Sequence, residues 1–144
     1  MRRGVIYEGL FFDRDNTEIL RKLERGRLAK SIGRPHCTFC FRPSAEDIPE
    51  EIAGYEFTVK IVGVGANQNN SGLLVELPDS LKKYYKNVDI EGKTVPPHIT
   101  MSTSIYGKPV NTRFLKFEPI EPVEVRGKFG FFMGGADGRG RIGF

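Results

Sequence analysis

The sequence predicts an α+β domain, on three observations: six or seven segments of strand-like character, two segments of helical periodicity, and Gly- or Pro-marked turns between them. GVIYEGLFF (4–12) mixes β-branched, aromatic and apolar residues and reads as a buried first strand ending at the polar cluster DRDNT. From Thr17 to Lys30, Ile19, Leu20, Leu23 and Leu28 form a helical stripe, with Arg21, Lys22, Glu24, Arg25, Arg27 and Lys30 on the remaining face. Gly33 and Pro35 close that unit. HCTFCF (36–41) is strand-like, PSAEDIPEEIAG (43–54) is an acidic loop or single turn, and YEFTVKIVGVG (55–65) alternates as a strand. ANQNNSG forms a turn, GLLVELP (72–78) returns as its hairpin partner, and PDSLKKYYKN (78–87) reads as a second helix opened by Pro78 and Asp79. PHITMSTSI (97–105) is a further strand, followed by a loop with Gly107 and Pro109, an extended stretch near 113–120, a last strand VEVRGKFGFFM (123–133) and a Gly-rich tail that reads as mobile and polar.

A chain of 144 residues is expected to fold as one domain spanning 1–144, since dividing it would leave neither half an adequate core. The apolar share of 39%, with 11 Phe and 5 Tyr, is too high for a disordered chain. Glu8 interrupts the apolar run of MRRGVIYEGLFF and no small-residue cleavage site follows, which argues against a signal peptide. No stretch approaches the ~18 apolar residues of a membrane span, so no membrane partner is expected. The two cysteines, Cys37 and Cys40, stand too close together to close a long loop, and nothing demands an oxidising compartment. A cytoplasmic monomer is therefore expected. The net charge of +4 and a pI near 9.1 suit an anionic ligand.

The two histidines of the chain stand in near-identical settings, Pro35-His36-Cys37-Thr38-Phe39 and Pro97-His98-Ile99-Thr100-Met101. Strand side chains alternate faces, so His36 and Thr38 should project to one side while Cys37, Phe39 and Phe41 go to the other. His98, Thr100 and Ser102 should likewise share a polar face, with Ile99, Met101 and Ile105 directed to the core. One copy of His-x-Thr would be ordinary strand filling. Two copies, using both histidines and each preceded by Pro, point to a shared cleft. In such a cleft one neutral imidazole takes a proton from an attacking water or hydroxyl while the other, protonated, gives one to the leaving oxygen, because the unperturbed imidazole pKa permits both states near neutrality. The hydroxyls of Thr38 and Thr100 would donate to the non-bridging phosphoryl oxygens, and no metal or cofactor is required.

With HCTF at 36–39 and HITM at 98–101, the sequence resembles the two-histidine (2H) phosphoesterase superfamily, and the order of strands and helices through residue 101 is similar to that family's over most of the chain. The resemblance implies a bilobal, pseudo-symmetric fold with two antiparallel sheets facing a central cleft and helices packed outside. It also implies a metal-independent phosphodiesterase with His36 and His98 as the general acid/base pair and Thr38 and Thr100 as phosphoryl-binding hydroxyls. The expected substrate is a nucleotide or RNA phosphodiester, with 2′,3′-cyclic phosphate hydrolysis preferred. A viral-type nuclease degrading cyclic di- or oligonucleotide signals would use the same residues, and so would a non-catalytic RNA- or nucleotide-binding module.

Four more residues are candidate substrate contacts. Arg34, just ahead of the first motif, and Lys108, after the second, suit phosphate; Tyr7 and Tyr106 suit stacking on a base. Each has a plainer alternative as core packing or solvated surface. LFFDRDNT also resembles the nucleophile motif of haloacid-dehalogenase-like phosphatases, in which Asp13 would attack phosphorus with Mg²⁺ bound beside it. The later acidic pair that such a site needs is missing, since Asp47, Asp79, Asp89 and Asp137 are scattered singly, and Asp13 reads more simply as a helix cap. Cys37 and Cys40, three apart in a strand, should face opposite sides, which opposes a metal or redox role. The G-x-G-x-x-G match at 138–143 has no helix after it and reads as accidental. The cationic helix face from Arg21 to Lys30 reads as solvated surface.

Overall fold

In the computed structural model, which describes residues 2–144, the strands are β1 (Val5–Phe11), β2 (Lys30–Ser31), β3 (His36–Phe41), β4 (Glu56–Ala66), β5 (Asn70–Glu76), β6 (His98–Thr103), β7 (Glu118–Gly134) and β8 (Gly140–Gly143). Two helices accompany them, α1 (Arg14–Leu23) and the single turn α2 (Asp79–Lys82). The fold is α+β, and all pairings between these strands are antiparallel. The strands join one sheet in the order β2-β6-β5-β4-β7-β1-β3, with β8 added to β7. β7 makes the sheet continuous: its first part pairs with β4, and its later part carries β1 and β8. Sheets twist and curl when they grow this wide. Here β3, at one end of the order, lies against β6, next to the other end. Residues 62 positions apart in sequence are thereby brought side by side.

The core fills the face that carries Leu10, Cys37, Phe39, Val59, Ile61, Leu73, Ile99, Met101, Val125 and Phe129, all 0 or 1% exposed. This is the alternation expected for both motif strands, His and Thr on one face and apolar residues on the other. α1 contributes Leu20 to the core and leaves Ile19 at the surface. Its cationic face is solvent-exposed except at Arg21, whose guanidinium donates to the Ile32 carbonyl at 2.6 Å.

Four expected elements differ from the structure. The first helix starts at Arg14 because Asp13 caps it, accepting from the Asn16 amide at 2.9 Å, and it stops at Leu23 rather than Lys30. Tertiary hydrogen bonds draw the chain out beyond that point: the Glu24 carboxylate takes the Ser102 hydroxyl at 2.5 Å, and the Arg25 carbonyl takes the Ser71 hydroxyl at 2.7 Å. The second helix runs one turn instead of reaching residue 87, because the following segment docks on β3. Lys86 donates its amide to the Phe39 carbonyl at 2.8 Å, and the Asn87 side chain reaches the Thr38 carbonyl at 3.3 Å. Residues 109–114 form a 3-10 turn, so the extended stretch expected near 113–120 is strand only from Glu118, where β7 begins. The Gly-rich tail is β8, paired with Phe131–Gly134, where the edge of β7 supplies the hydrogen bonds that its composition gave no sign of.

Candidate active site

A bulge in the pairing of β1 with β3 decides which side chains line the site. Phe11 opposes His36, Leu10 opposes Cys37 and Gly9 opposes Thr38, but Glu8 opposes Cys40 and Tyr7 opposes Phe41. The extra residue on β3 resets the alternation after Phe39. Phe41 therefore leaves the core face, contrary to the simple two-residue period, and stands 58% exposed in the wall of the cavity that holds His36 and Thr38. Cys40 joins Cys37 on the core side, so the two cysteines share a face rather than opposing each other; both are free thiols, and burial pushes that of Cys37 up to about 12. Gly9 allows this close approach, since a Cβ there would collide with the Cys37 carbonyl.

His36, Thr38, His98 and Thr100 line one cavity of about 500 Å³, together with Tyr7, Phe41, Asn87, Val88, Pro109, Val110 and Arg113. The two imidazoles are held alike. Nδ1 of His98 lies 2.8 Å from the Pro96 carbonyl and Nδ1 of His36 lies 3.4 Å from the Arg34 carbonyl, in each case the residue two positions earlier. At His98 the carbonyl accepts only, so Nδ1 carries the proton and Nε2 is left to a ligand; at His36 the same nitrogen also lies 3.5 Å from the Tyr7 hydroxyl, which can donate as well as accept. Burial pushes both imidazoles below their ordinary pKa. At His36 the Arg34 carbonyl opposes this and the neighbouring His98 adds to it; at His98 the Pro96 carbonyl opposes and the Arg113 charge adds.

The two threonines differ. Thr38 has no protein hydrogen-bond partner for its hydroxyl among the described residues, whereas Thr100 Oγ1 lies 3.0 Å from the Pro109 carbonyl and 2.8 Å from Thr112 Oγ1. Thr112 is fully buried and also receives Asn70 Nδ2 at 3.0 Å. Ser102, expected on the polar face with His98, is instead buried and structural: its hydroxyl accepts from the Leu28 amide at 2.9 Å as well as serving Glu24.

Of the candidate substrate contacts, only Tyr7 lines the cavity. Its ring stacks on His36 at 4.6 Å between centroids and on Phe132 at 5.1 Å, so protein already occupies it. Tyr7 thus supports His36 rather than offering a platform for a base, and burial pushes its hydroxyl up to about 12. Arg34 reaches His36 through its backbone carbonyl, while its side chain enters a neighbouring groove. Tyr106 is 83% exposed and lies outside the cavity, over a shallow depression beside Leu28 and Asn69, because the 3-10 turn carries the chain away after Gly107. Ile105, expected in the core, is 63% exposed there as well. Lys108 is not in the wall: its carbonyl accepts from Asn70 and its side chain points to solvent.

Sequence reasoning missed Arg113. This guanidinium lines the cavity near His98, and its Nε is buried without a protein partner. The 3-10 turn places it there, and nothing in NTRFLK separates it from a surface arginine. Asn87 was missed for the same kind of reason. Asp13 sits outside the cavity with Oδ1 engaged by both nitrogens of Asn16, a helix cap in geometry. Among the described residues no three His, Cys, Asp or Glu side chains gather in a metal-binding arrangement, and no helix is long and apolar enough to cross a membrane. The chain matches no family model and no curated protein, so the residues themselves carry the functional argument.

Proposed function

We propose that the protein is a phosphodiesterase acting on a nucleotide or RNA phosphodiester, with His36 and His98 as its general acid/base pair and 2′,3′-cyclic phosphate opening as the preferred reaction. One observation carries this reading: two imidazoles, each with Nδ1 beside the carbonyl two residues before it and neither with a protein hydrogen bond at Nε2 among the described residues, line one cavity with the Arg113 guanidinium, whose Nε is buried without a hydrogen-bond partner. The two rings are anchored alike, on β3 at one end of the sheet and on β6 next to the other end, which supports a paired role for them. With a phosphodiester between the rings, one Nε2 would take a proton from the attacking water as its oxygen bonds to phosphorus, and the other would give a proton to the oxygen that leaves as its bond to phosphorus breaks. Arg113 would balance the charge on the non-bridging oxygens and Thr38 would donate to one of them. Thr100 would have to exchange its Pro109 partner for a phosphoryl oxygen to do the same.

The test is hydrolysis of 2′,3′-cyclic mononucleotides, cyclic dinucleotides and short RNAs with 2′,3′-cyclic ends, in EDTA and in Mg²⁺. Turnover in EDTA is expected. Activity that needs Mg²⁺ and disappears with Asp13→Asn would replace this reading by the aspartyl phosphatase, and ligand binding without turnover would leave a nucleotide-binding module.

The pH dependence of kcat/KM has a defined sign. Falling pH protonates the base and rising pH deprotonates the acid, so the profile is a bell whose limbs report the two free-enzyme pKa values. Burial holds both imidazoles below the ordinary 6.5. Both limbs should therefore lie on the acid side of 6.5, with a maximum in mildly acidic buffer; a plateau extending above pH 7 would contradict the assignment.

A further inference from the structure

Beside the second motif strand, a buried polar cluster joins β5 to the 3-10 turn of residues 109–114. Asn70, the first residue of β5, is 2% exposed, and its side-chain nitrogen lies 2.8 Å from the Lys108 carbonyl and 3.0 Å from Thr112 Oγ1. Thr112, within the turn, has no exposed surface. The turn comes this close because Gly72, paired with Thr100 across β5 and β6, has no side chain. A Cβ there would collide with the Thr112 methyl and the Ile99 carbonyl.

Only one arrangement of the protons in this cluster leaves none of them stranded. A backbone carbonyl accepts only, so the Asn70 atom that faces Lys108 is the nitrogen, and the second proton of that amide goes to Thr112. Thr112 Oγ1 then has its own proton to place, and among the described residues its remaining partner is Thr100 Oγ1 at 2.8 Å. Thr100 in turn gives its proton to the Pro109 carbonyl at 3.0 Å. The opposite order, with Thr100 donating to Thr112, would bury the Thr112 proton without an acceptor, which is costly. The chain of donors therefore runs from Asn70 through Thr112 and Thr100 to Pro109, and each hydroxyl that receives a bond becomes a stronger donor for the next. Thr100 and Pro109 line the cavity, whereas Asn70 and Thr112 do not.

We propose that Asn70 and Thr112 are positioning residues for Thr100. Their chain fixes Oγ1 of Thr100 at the cavity wall and keeps its proton on the Pro109 carbonyl until a phosphoryl oxygen takes that proton's hydrogen bond. Thr112 continues to donate to Thr100 through this exchange, so the hydroxyl that turns to the phosphoryl oxygen is already polarised. The inference rests on the phosphodiesterase reading for what Thr100 meets, and on the two hydrogen bonds of the Asn70 amide for the chain itself.

Two measurements test it. Thr112→Val removes the hydroxyl and keeps the branched shape. It should lower kcat on a 2′,3′-cyclic substrate about three- to tenfold, the range of one net hydrogen bond, with KM little changed, because the interaction it weakens is made in the transition state. Thr112→Ser should restore kcat. In a Thr100→Val background, Thr112→Val should cost nothing more, since it acts through Thr100. The second measurement follows side-chain amides by NMR on the ¹⁵N-labelled protein. The Asn70 amide protons should exchange far more slowly than those of the exposed Asn111, and Thr112→Val should shift the Asn70 proton that points at residue 112. Asn70 protons that exchange as fast as those of Asn111 would overturn the chain, and so would kcat losses that multiply in the double variant. If the wild type turns over no phosphodiester, the catalytic reading fails, and the Asn70 exchange and shift alone decide the chain.

Discussion

His98→Ala is expected to lower kcat on the phosphodiester substrate by about 10²–10⁴, the range of one general acid or base, and His36→Ala should do the same. Both rings are half-buried at the cavity wall, and each strand is fixed by its pairing and its core residues rather than by the imidazole. Either variant should therefore keep the wild-type circular dichroism spectrum and bind substrate. The double variant is informative. If the histidines act on the two ends of one displacement, losing the second adds little once the first is gone, because residues that work as a unit are far from additive. Steady-state kinetics on the three variants, in EDTA, measures this. Losses that simply multiply, or a single variant with full activity, would break the acid/base assignment. The expected contrast between the threonines follows from the same cavity: Thr38→Val removes an unengaged hydroxyl, whereas Thr100→Val also disturbs the link to Thr112 and Pro109.

The largest effect on stability is expected at Phe39. Its side chain is fully buried behind the first motif, edge-on to Tyr85 at 5.4 Å and to Phe129 at 5.5 Å. Phe39→Ala should destabilise the fold by roughly 3–5 kcal/mol, the usual cost of emptying a packed phenylalanine site. Two consequences of position push toward the upper end. Phe39 lies where the bulge resets the face of Phe41, and its carbonyl receives the Lys86 amide that ties the segment after α2 to β3. Urea unfolding followed by circular dichroism measures the change: the midpoint should fall while the slope of stability against urea is kept. Ile61→Val, in the same core but away from the motif strands, should cost only about 0.5–1.5 kcal/mol. Equal losses at the two positions would mean that Phe39 is ordinary core filling.

The pairing of chemistry with core on the two motif strands is a local property, and it was legible in the residues. His and Thr alternate with Cys and Phe, or with Ile and Met, at the period of a strand, and burial follows that alternation through Phe39 and through Met101. The 55–77 hairpin and the cap at Asp13 are equally local, since a turn rich in Asn and an Asp three residues before its amide partner need no distant contact to form. What lay beyond the sequence was whatever depends on a partner far along the chain. The helix after Asp13 ends early because Ser102 and Ser71 claim its next residues, and the Gly-rich tail is a strand because β7 has an open edge beside it. The bulge that turns Phe41 into the cavity exists only in the register between β1 and β3. Arg113 and Asn87 join the histidines, and Tyr106 and Lys108 do not, because a 3-10 turn and a docked loop aim them, and neither has a repeating pattern. Periodicity specifies which side of a strand a residue occupies; only the closing of the sheet, which sets β3 against β6, specifies what that side faces.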